Sequence, residues 1–166
     1  IKKWLYSDID IFIRELVSNS LDAITKRQKL SKLNKEVSFD SSPEISIFID
    51  KSKKTITISD NGLGMTADEI EKYITQIAFS GAEDFVKKYQ NNEEKDSGII
   101  GHFGLGFYSA FMVADTVEIQ SLSYDKDATP VYWHCDGSVE YSLKKGSRSS
   151  VGTDIILTIS EDQTEF

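Results

Sequence analysis

One candidate helix carries a carboxylate and an amide on the same side. Residues 7–30 (SDIDIFIRELVSNSLDAITKRQKL) are predicted to be helical. At 3.6 residues per turn, four polar residues fall within roughly 60° of the helix surface: Glu15, Asn19, Asp22 and Lys26. A broad apolar sector lies beside them. Such a helix can bury one side and still present a carboxylate and an amide to a ligand. Taken alone, the arc is also explained as a solvated surface with an (i, i+4) ion pair between Asp22 and Lys26.

Two glycine-rich segments could form the rest of a ligand site opposite these polar residues. Residues 60–65 (DNGLGM) directly follow a predicted strand, and residues 101–106 (GHFGLG) precede an apolar stretch. Seven of the ten glycines lie between positions 62 and 106. Glycine loses the most entropy on folding, so this concentration indicates unusual backbone conformations or close approach to a ligand.

The second segment, residues 101–106, does not match the commoner nucleotide-binding loops. A dinucleotide fingerprint reads Gly-x-Gly-x-x-Gly after a first strand, whereas the spacing here is reversed. Gly101 and Gly106 have the four-residue separation of a P-loop, but Phe107 and Tyr108 stand where Lys and Ser or Thr are required. Both of those nucleotide-binding folds are therefore disfavoured.

The composition indicates a single acidic domain over residues 1–166. With 39% hydrophobic residues the chain can bury one core of ordinary size, and its formal net charge of -8 disfavours binding to nucleic acid. The single Cys135 excludes an intrachain disulfide and a Cys-based zinc site, which suits a reducing compartment such as the cytoplasm. No run approaches the 18 apolar residues of a membrane span, no secretory leader is visible, and the ends suggest a piece of a longer protein.

Periodicity in the first half predicts helices and one hairpin. Ser7 is expected to cap the first helix, and Thr66 with Glu69 is expected to form the capping box of a second. Between them, residues 44–50 and 55–60 alternate apolar and polar residues, which predicts a hairpin with one buried face.

Strands dominate the second half. An apolar stretch at 107–113 predicts a buried helix, and four strand-like segments follow it, at 116–123, 131–136, 139–143 and 153–159. Helices first and strands later predict an α+β fold, a two-layer sandwich with helices on one face of a mostly antiparallel sheet.

Taken together, the polar helix and the two glycine-rich segments resemble the Bergerat-type ATP-binding fold of gyrase B, histidine kinases, the mismatch-repair protein MutL and the heat shock protein 90 chaperones. Five segments are similar to the N-terminal domain of bacterial heat shock protein 90 chaperones: RELVSNSLDA, SDNGLGMT, QIAFSGAEDF, IIGHFGLGFYSAFMVAD and GTDIILTI. The resemblance covers nearly the whole chain.

The resemblance implies roles that the side-chain chemistry also supports. Glu15 would orient and deprotonate the attacking water, and Asn19 would offer its side-chain oxygen to a Mg²⁺ ion that bridges the phosphates. Asp60 would accept a hydrogen bond from the adenine amino group, and Thr153 would hold a water in the same network. Asp22 would position its neighbours.

The resemblance also implies roles for the two glycine-rich segments. Residues 62–65 would lie close to the base, with Gly62 and Gly64 allowing the approach and with Met65 and Phe107 as apolar walls. The backbone of the second segment would bind the phosphates at a helix N-terminus, through Gly101, Gly104, Leu105 and Gly106. Residues 79–100 would form a lid that closes over the nucleotide.

Two residues depart from the family pattern. Phe79 stands where many members have a lysine that would touch the phosphates, and Tyr73 stands where an asparagine near the ribose is common. Phosphate affinity is therefore expected to depend more on the glycine segment and on Mg²⁺.

The resulting hypothesis is an ATP-binding and ATP-hydrolysing chaperone domain, weak in isolation, that acts on client proteins within a homodimer formed through regions outside this chain. ATP or ADP and Mg²⁺ are the expected cofactors, and neither nucleic acid nor membrane is an expected partner. Two alternatives stay open at this point, the ATPase domain of a DNA topoisomerase or mismatch-repair protein and the ATP domain of a histidine kinase.

Overall fold

A six-stranded antiparallel sheet organises the protein. The computed structural model describes residues 2–39, 41–75, 107, 109–111, 113–138 and 140–161 of the chain. The sheet order is β1-β2-β6-β3-β4-β5, built from the strands Ile45–Asp50 (β1), Thr55–Asp60 (β2), Ala114–Leu122 (β3), Val131–Cys135 (β4), Tyr141–Lys145 (β5) and Gly152–Ile159 (β6). Helix α1 spans Lys2–Leu33, and the short helix α2 spans Ala67–Ile70 and continues as a π-helical turn over Glu71–Thr75. The α+β prediction is confirmed, and every described strand pair is antiparallel.

Helix α1 begins earlier than predicted. It starts at Lys2, so Ser7 lies inside the helix and the prediction that Ser7 caps it is wrong. The residues before Ser7 contain no proline or glycine, and nothing in them stops a helix from extending backwards. The helix also runs three residues beyond the predicted end at Leu30, to Leu33.

The hairpin is confirmed, but only one of its strands has the predicted buried face. In β2, Ile56 and Ile58 are buried, whereas their register partners Ile49 and Ile47 in β1 are 64% and 47% exposed. Strand β1 lies at the edge of the sheet, and among its isoleucines only Ile45 packs against the described core. The alternating pattern therefore found the strand but not its position at an edge.

The core lies on one face of β2, β6, β3 and β4. Along each of these strands alternate residues are buried, and α1 contributes Phe12 and Leu16 from one side of the helix. Trp133 is fully buried and contacts Phe107 and Phe111 edge-on, at ring-centroid distances of 6.2 Å and 6.4 Å. Of the predicted helix at 107–113, positions 107 and 109–111 are helical, whereas Val113 lies in a turn.

The strands of the second half differ from the predicted ranges by one or two residues at their ends. Strand β5 shows the largest shift, because it spans Tyr141–Lys145 rather than residues 139–143 and is displaced by two residues at both ends. In the part of the chain that the structure describes, no helix combines the length and the apolar character needed to cross a bilayer.

The predicted capping box of α2 is confirmed. The Thr66 hydroxyl accepts a hydrogen bond from the backbone N–H of Glu69, and the Glu69 carboxylate accepts one from the N–H of Thr66. This cap fixes where the chain leaves the 60–65 loop, and Ile70 and Ile74 then anchor the following turns in the core.

Replacing Thr66 by alanine should therefore lower the free energy of unfolding by about 1 kcal/mol, because one N–H of the first turn loses its acceptor. Urea denaturation of Thr66→Ala and of Thr66→Ser measures the effect, since serine retains the cap. Equal losses in the two variants would contradict a capping role.

Candidate functional site

Asp60, the last residue of β2, is a buried carboxylate with internal hydrogen-bond donors. Its side chain lies on the core face with Ile56 and Ile58, and the residue is only 7% exposed. The backbone N–H of Gly62 donates to Oδ1 at 2.8 Å, and the hydroxyl of Ser20 on α1 also donates to this carboxylate. Asp60 thus joins the sheet, the following loop and the long helix.

The surroundings of Asp60 act on its pKa in both directions. Burial raises the pKa most strongly, while the donors Gly62 and Ser20 and the charge of Arg148 lower it; Asp154 adds a small rise. The net result is a pKa above the ordinary value of an aspartate. The hydrogen bonds therefore offset the cost of burying the charge only in part.

Two hydroxyl groups lie in register with Asp60 on the same face of the sheet. Asp60 pairs with Thr153 on β6, and Thr153 pairs with Ser121 on β3. Thr153 is 7% exposed, Ser121 is fully buried, and their hydroxyl oxygens are 2.8 Å apart. A row of three buried polar side chains thus crosses three adjacent strands at the end of the apolar core.

Arg148 holds the backbone of Asp60 from the opposite face. Its Nη2 donates to the carbonyl oxygen of Asp60 at 2.8 Å, its Nε donates to the carbonyl of Ser150 at 2.9 Å, and it pairs with Asp154. Gly152, with φ of +144°, passes beneath this contact, and a Cβ there would lie 2.1 Å from the Asp60 carbonyl oxygen. Only glycine fits at that crossing.

Helix α1 brings its predicted site residues to the same region. Asn19 precedes Ser20, and its side-chain nitrogen is buried without a hydrogen-bond partner. Glu15 lies one helical turn earlier and is half-buried. An unpaired buried amide is costly unless a ligand completes it, so Asn19 marks a place where the protein alone is incomplete.

The other polar residues of the predicted arc lie differently. Asp22 is exposed, and Lys26 is half-buried. Burial lowers the pKa of Lys26, and the nearby charge of Asp22 raises it by less. The two side chains thus interact electrostatically, and the positioning role expected for Asp22 stays a prediction.

The two glycines of the first segment have close contacts within the protein. A Cβ on Gly62 would lie 2.6 Å from the Cβ of Ala23 on α1. Gly64 has φ of +68°, and a Cβ there would lie 1.9 Å from the carbonyl oxygen of Leu122. Helix and strand approach the loop this closely because the side chains are absent, so both glycines have a packing reason in addition to the predicted contact with a base.

The apolar residues predicted as walls of the pocket belong to different surroundings. Met65 is half-buried, packs against the core, and donates its backbone N–H to the Ser121 hydroxyl at 2.8 Å. Phe107 is 1% exposed and packs edge-on against Phe111 and Trp133. Contact of either side chain with a ligand stays a prediction.

Several predicted positions lie outside the described residues. They are Gly101, Gly104, Leu105, Gly106, the lid at 79–100 and the departure at Phe79. Tyr73 is described, and it lies half-buried in the π-helical turn with the Lys72 ammonium 5.2 Å from its ring centroid.

Sequence reasoning missed Ser20, Ser121 and Arg148. Ser20 continues the spacing of Phe12 and Leu16, so a polar residue at a buried position of α1 was a usable signal. Ser121 interrupts the core-facing series of β3 in the same way. Arg148 left no comparable signal, because it lies in a loop.

The described side chains do not form a protein cage for a metal. Among these residues no group of three His, Cys, Asp or Glu side chains could hold an ion. The side-chain oxygen of Asn19 is a ligand type that Mg²⁺ accepts, and its unpaired side-chain nitrogen could donate to a phosphate oxygen. The residues present are thus compatible with a metal that arrives with a nucleotide.

A buried carboxylate at a strand end, facing a polar helix across a glycine loop, is the arrangement of a defined class of ATPases. The chain belongs to the family of histidine kinase-, DNA gyrase B- and HSP90-like ATPases, whose model matches residues 6–153. Within that class it is similar to proteins named Chaperone protein HtpG: 53% identical over 169 residues to that of Bacteroides fragilis, 48% over 166 residues to that of Porphyromonas gingivalis, and 44% over 164 residues to that of Idiomarina loihiensis. The matches cover 100%, 100% and 98% of this chain and 24%, 24% and 26% of those proteins, so the chain spans about a quarter of their length.

The close approach at Gly64 gives a testable difference between two glycines with positive φ. Gly137 has φ of +81°, but a Cβ there would meet its nearest atom only at 3.9 Å. We expect Gly137→Ala to cost about 1 kcal/mol from backbone strain alone, and Gly64→Ala to cost about 3 kcal/mol or more because Leu122 must also move.

Denaturant unfolding of both variants without nucleotide measures this difference. If Gly64→Ala is no less stable than Gly137→Ala, the loop does not pack against β3 as described.

Proposed function

We propose that this chain is the ATP-binding and ATP-hydrolysing part of a molecular chaperone that acts on client proteins, and that it works as a dimer through regions beyond these residues. The observation that carries the proposal is Asp60, a buried carboxylate that interacts with Ser20 of α1, the residue after Asn19, whose side-chain nitrogen is buried without a partner. Family membership supports the ATPase activity, and the names of the relatives support the chaperone role.

The acceptor capacity of Asp60 supports adenine recognition. An ionised carboxylate offers about four lone-pair sites, and Gly62 and Ser20 occupy two of them. The remaining sites can accept from a ligand N–H but can give nothing to a ligand carbonyl. The exocyclic amino group of adenine fits this requirement, and the O6 atom of guanine does not.

The polar side of α1 supports the hydrolytic role. Glu15 lies one turn from Asn19 and is half-buried, and a carboxylate at this position could act as a general base toward water. Asn19 would hold the phosphates' Mg²⁺ through its side-chain oxygen. When bound, that ion would neutralise charge on the phosphate oxygens. The glycine segment 101–106 would supply backbone N–H groups to the same phosphates.

In the full-length protein, Glu15→Ala should retain nucleotide binding and lower turnover by about 10²- to 10⁴-fold, the range expected for loss of a general base. Steady-state phosphate release, with ADP affinity from calorimetry, separates the two effects. Lys29→Ala is a matched control, because Lys29 is exposed on the same helix. Unchanged turnover in Glu15→Ala would remove that residue from the mechanism.

Asp60→Asn should weaken ADP binding by about 1.5 to 3 kcal/mol, or roughly tenfold to more than a hundredfold, because the amide would present a donor to the adenine amino group. Isothermal titration calorimetry measures the loss, and Asp125→Asn, at an exposed aspartate, is the control. Wild-type affinity in Asp60→Asn would contradict the assignment of the pocket.

The raised pKa of Asp60 also sets the sign of a pH effect. Base recognition needs the ionised form, so ADP affinity should fall with decreasing pH, beginning above the usual titration range of an aspartate. Protonation of Asp60 has the opposite effect on folding, since its folded-state pKa exceeds the unfolded value and its contribution to stability increases as pH falls through the folded pKa. Calorimetric titrations and denaturant unfolding across this range, each compared with Asp60→Asn, should show these opposite trends.

A further inference from the structure

Ser121 makes more hydrogen bonds than a buried serine needs for packing. It accepts from the N–H of Met65 at 2.8 Å, and it lies 3.1 Å from the carbonyl oxygen of Gly152 and 2.8 Å from the hydroxyl of Thr153. The side chain is fully buried, so water cannot substitute for any of these partners. A single hydroxyl proton must therefore serve two possible acceptors.

Two proton arrangements satisfy this geometry. In the first, Ser121 donates to the Gly152 carbonyl and Thr153 donates to Ser121, which leaves Thr153 with only acceptor capacity toward the site. In the second, Ser121 donates to Thr153, and the proton of Thr153 is free to point at a ligand. Met65 donates to Ser121 in both, and the second arrangement exchanges the bond to Gly152 for one to the ligand.

The position of Thr153 means that the proton arrangement affects ligand binding. Thr153 is the register partner of Asp60, and directly opposed residues have Cβ atoms about 4.5–5.5 Å apart. If a ligand donates a hydrogen bond to Asp60, the ring atom beside its donor group therefore lies near Thr153 and can contact it directly or through one water. In adenine the atom next to the amino-bearing carbon is N1, an acceptor, which requires a donor from the protein.

We propose that Ser121 is a positioning residue that turns the Thr153 hydroxyl into a donor toward the ring nitrogen beside the amino group bound by Asp60. Successive donation from Met65 through Ser121 and Thr153 to the ligand also strengthens each bond in the chain. Without Ser121, the Thr153 hydroxyl loses the donor that occupies its acceptor side, and its own proton is no longer held toward the ligand. This inference rests on the proposed function, because it presupposes adenine at Asp60.

A ligand series tests the coupling between Ser121 and N1. In the wild-type protein, 1-deaza-ADP, in which N1 is replaced by C–H, should bind roughly two- to tenfold more weakly than ADP, the scale of one hydrogen bond. In Ser121→Ala the two ligands should bind with nearly equal affinity. This variant should also bind ADP less well and melt a few degrees lower, because Met65 loses its acceptor. Thr153→Val should lose the same penalty.

Ser123→Ala is the matched control, because Ser123 is 4% exposed on the same strand end but its hydroxyl contacts only the N–H of Asp125 among the hydrogen bonds assigned to it. It should retain the wild-type penalty. If the 1-deaza-ADP penalty is the same in wild type and Ser121→Ala, the positioning role is overturned, even if the variant is less stable. If Ser121→Ala does not fold, an undiminished penalty in Thr153→Val overturns it instead.

A further analogue separates this failure from that of the proposed function. Purine riboside diphosphate lacks the amino group and should bind the wild-type protein roughly tenfold or more weakly than ADP. If it binds as well as ADP, Asp60 does not recognise an amino group, and both proposals are overturned. If it binds weakly while the 1-deaza penalty is unaffected by Ser121→Ala, only the role of Ser121 is lost.

Discussion

Burial of the Asp60 carboxylate is the constraint that the surrounding structure satisfies. A carboxylate removed from water is tolerated only where donors replace the lost hydration. Here the donors come from two different elements, the loop after β2 and helix α1, through Gly62 and Ser20. A shift of the helix along the sheet would cost Asp60 the donor from Ser20, so this interaction links the packing of the two layers to the geometry of the candidate site.

The glycines and Arg148 follow from that constraint. Gly62 brings its N–H to the carboxylate while passing against Ala23, and any larger residue would separate the loop from the helix. On the other face, Arg148 holds the carbonyl of Asp60 across Gly152, where no side chain fits. Asp60 is thus held through both its carboxylate and its backbone, which leaves its remaining lone pairs in a fixed direction.

Sequence periodicity was sufficient for the parts of the fold that depend on local patterns. The alternation in β2 and β6 and the Thr66 capping box fixed those elements, because each has a strict spacing in the chain. The exposure of Ile47 and Ile49 could not be predicted, since the pattern of an edge strand does not differ from that of a central one. The early start of α1 was missed because a serine with acidic residues after it is typical of a cap but is also tolerated inside a helix.

The candidate site was predictable where side-chain chemistry is distinctive and not where it is ordinary. Asp60 and Asn19 stood out, and the structure places both at the contact between α1 and the sheet. The resemblance also named Thr153, but nothing in its spacing suggested that it pairs in register with both Asp60 and Ser121. Serine is compatible with surface, core and site alike, so Ser20 and Ser121 acquire meaning only when the register shows which residues they face.

The charge of the chain adds a last step to this account. With a formal net charge of -8 and a carboxylate at the base of the site, the protein does not attract an anionic ligand by its overall field. Under the proposed function, recognition would come from short-range contacts with a neutral group such as a purine ring, and the phosphates would be neutralised by backbone amides and a cation. A site that selects by a fixed acceptor and an adaptable hydroxyl suits such a ligand, because hydrogen-bond polarity discriminates between bases where net charge cannot.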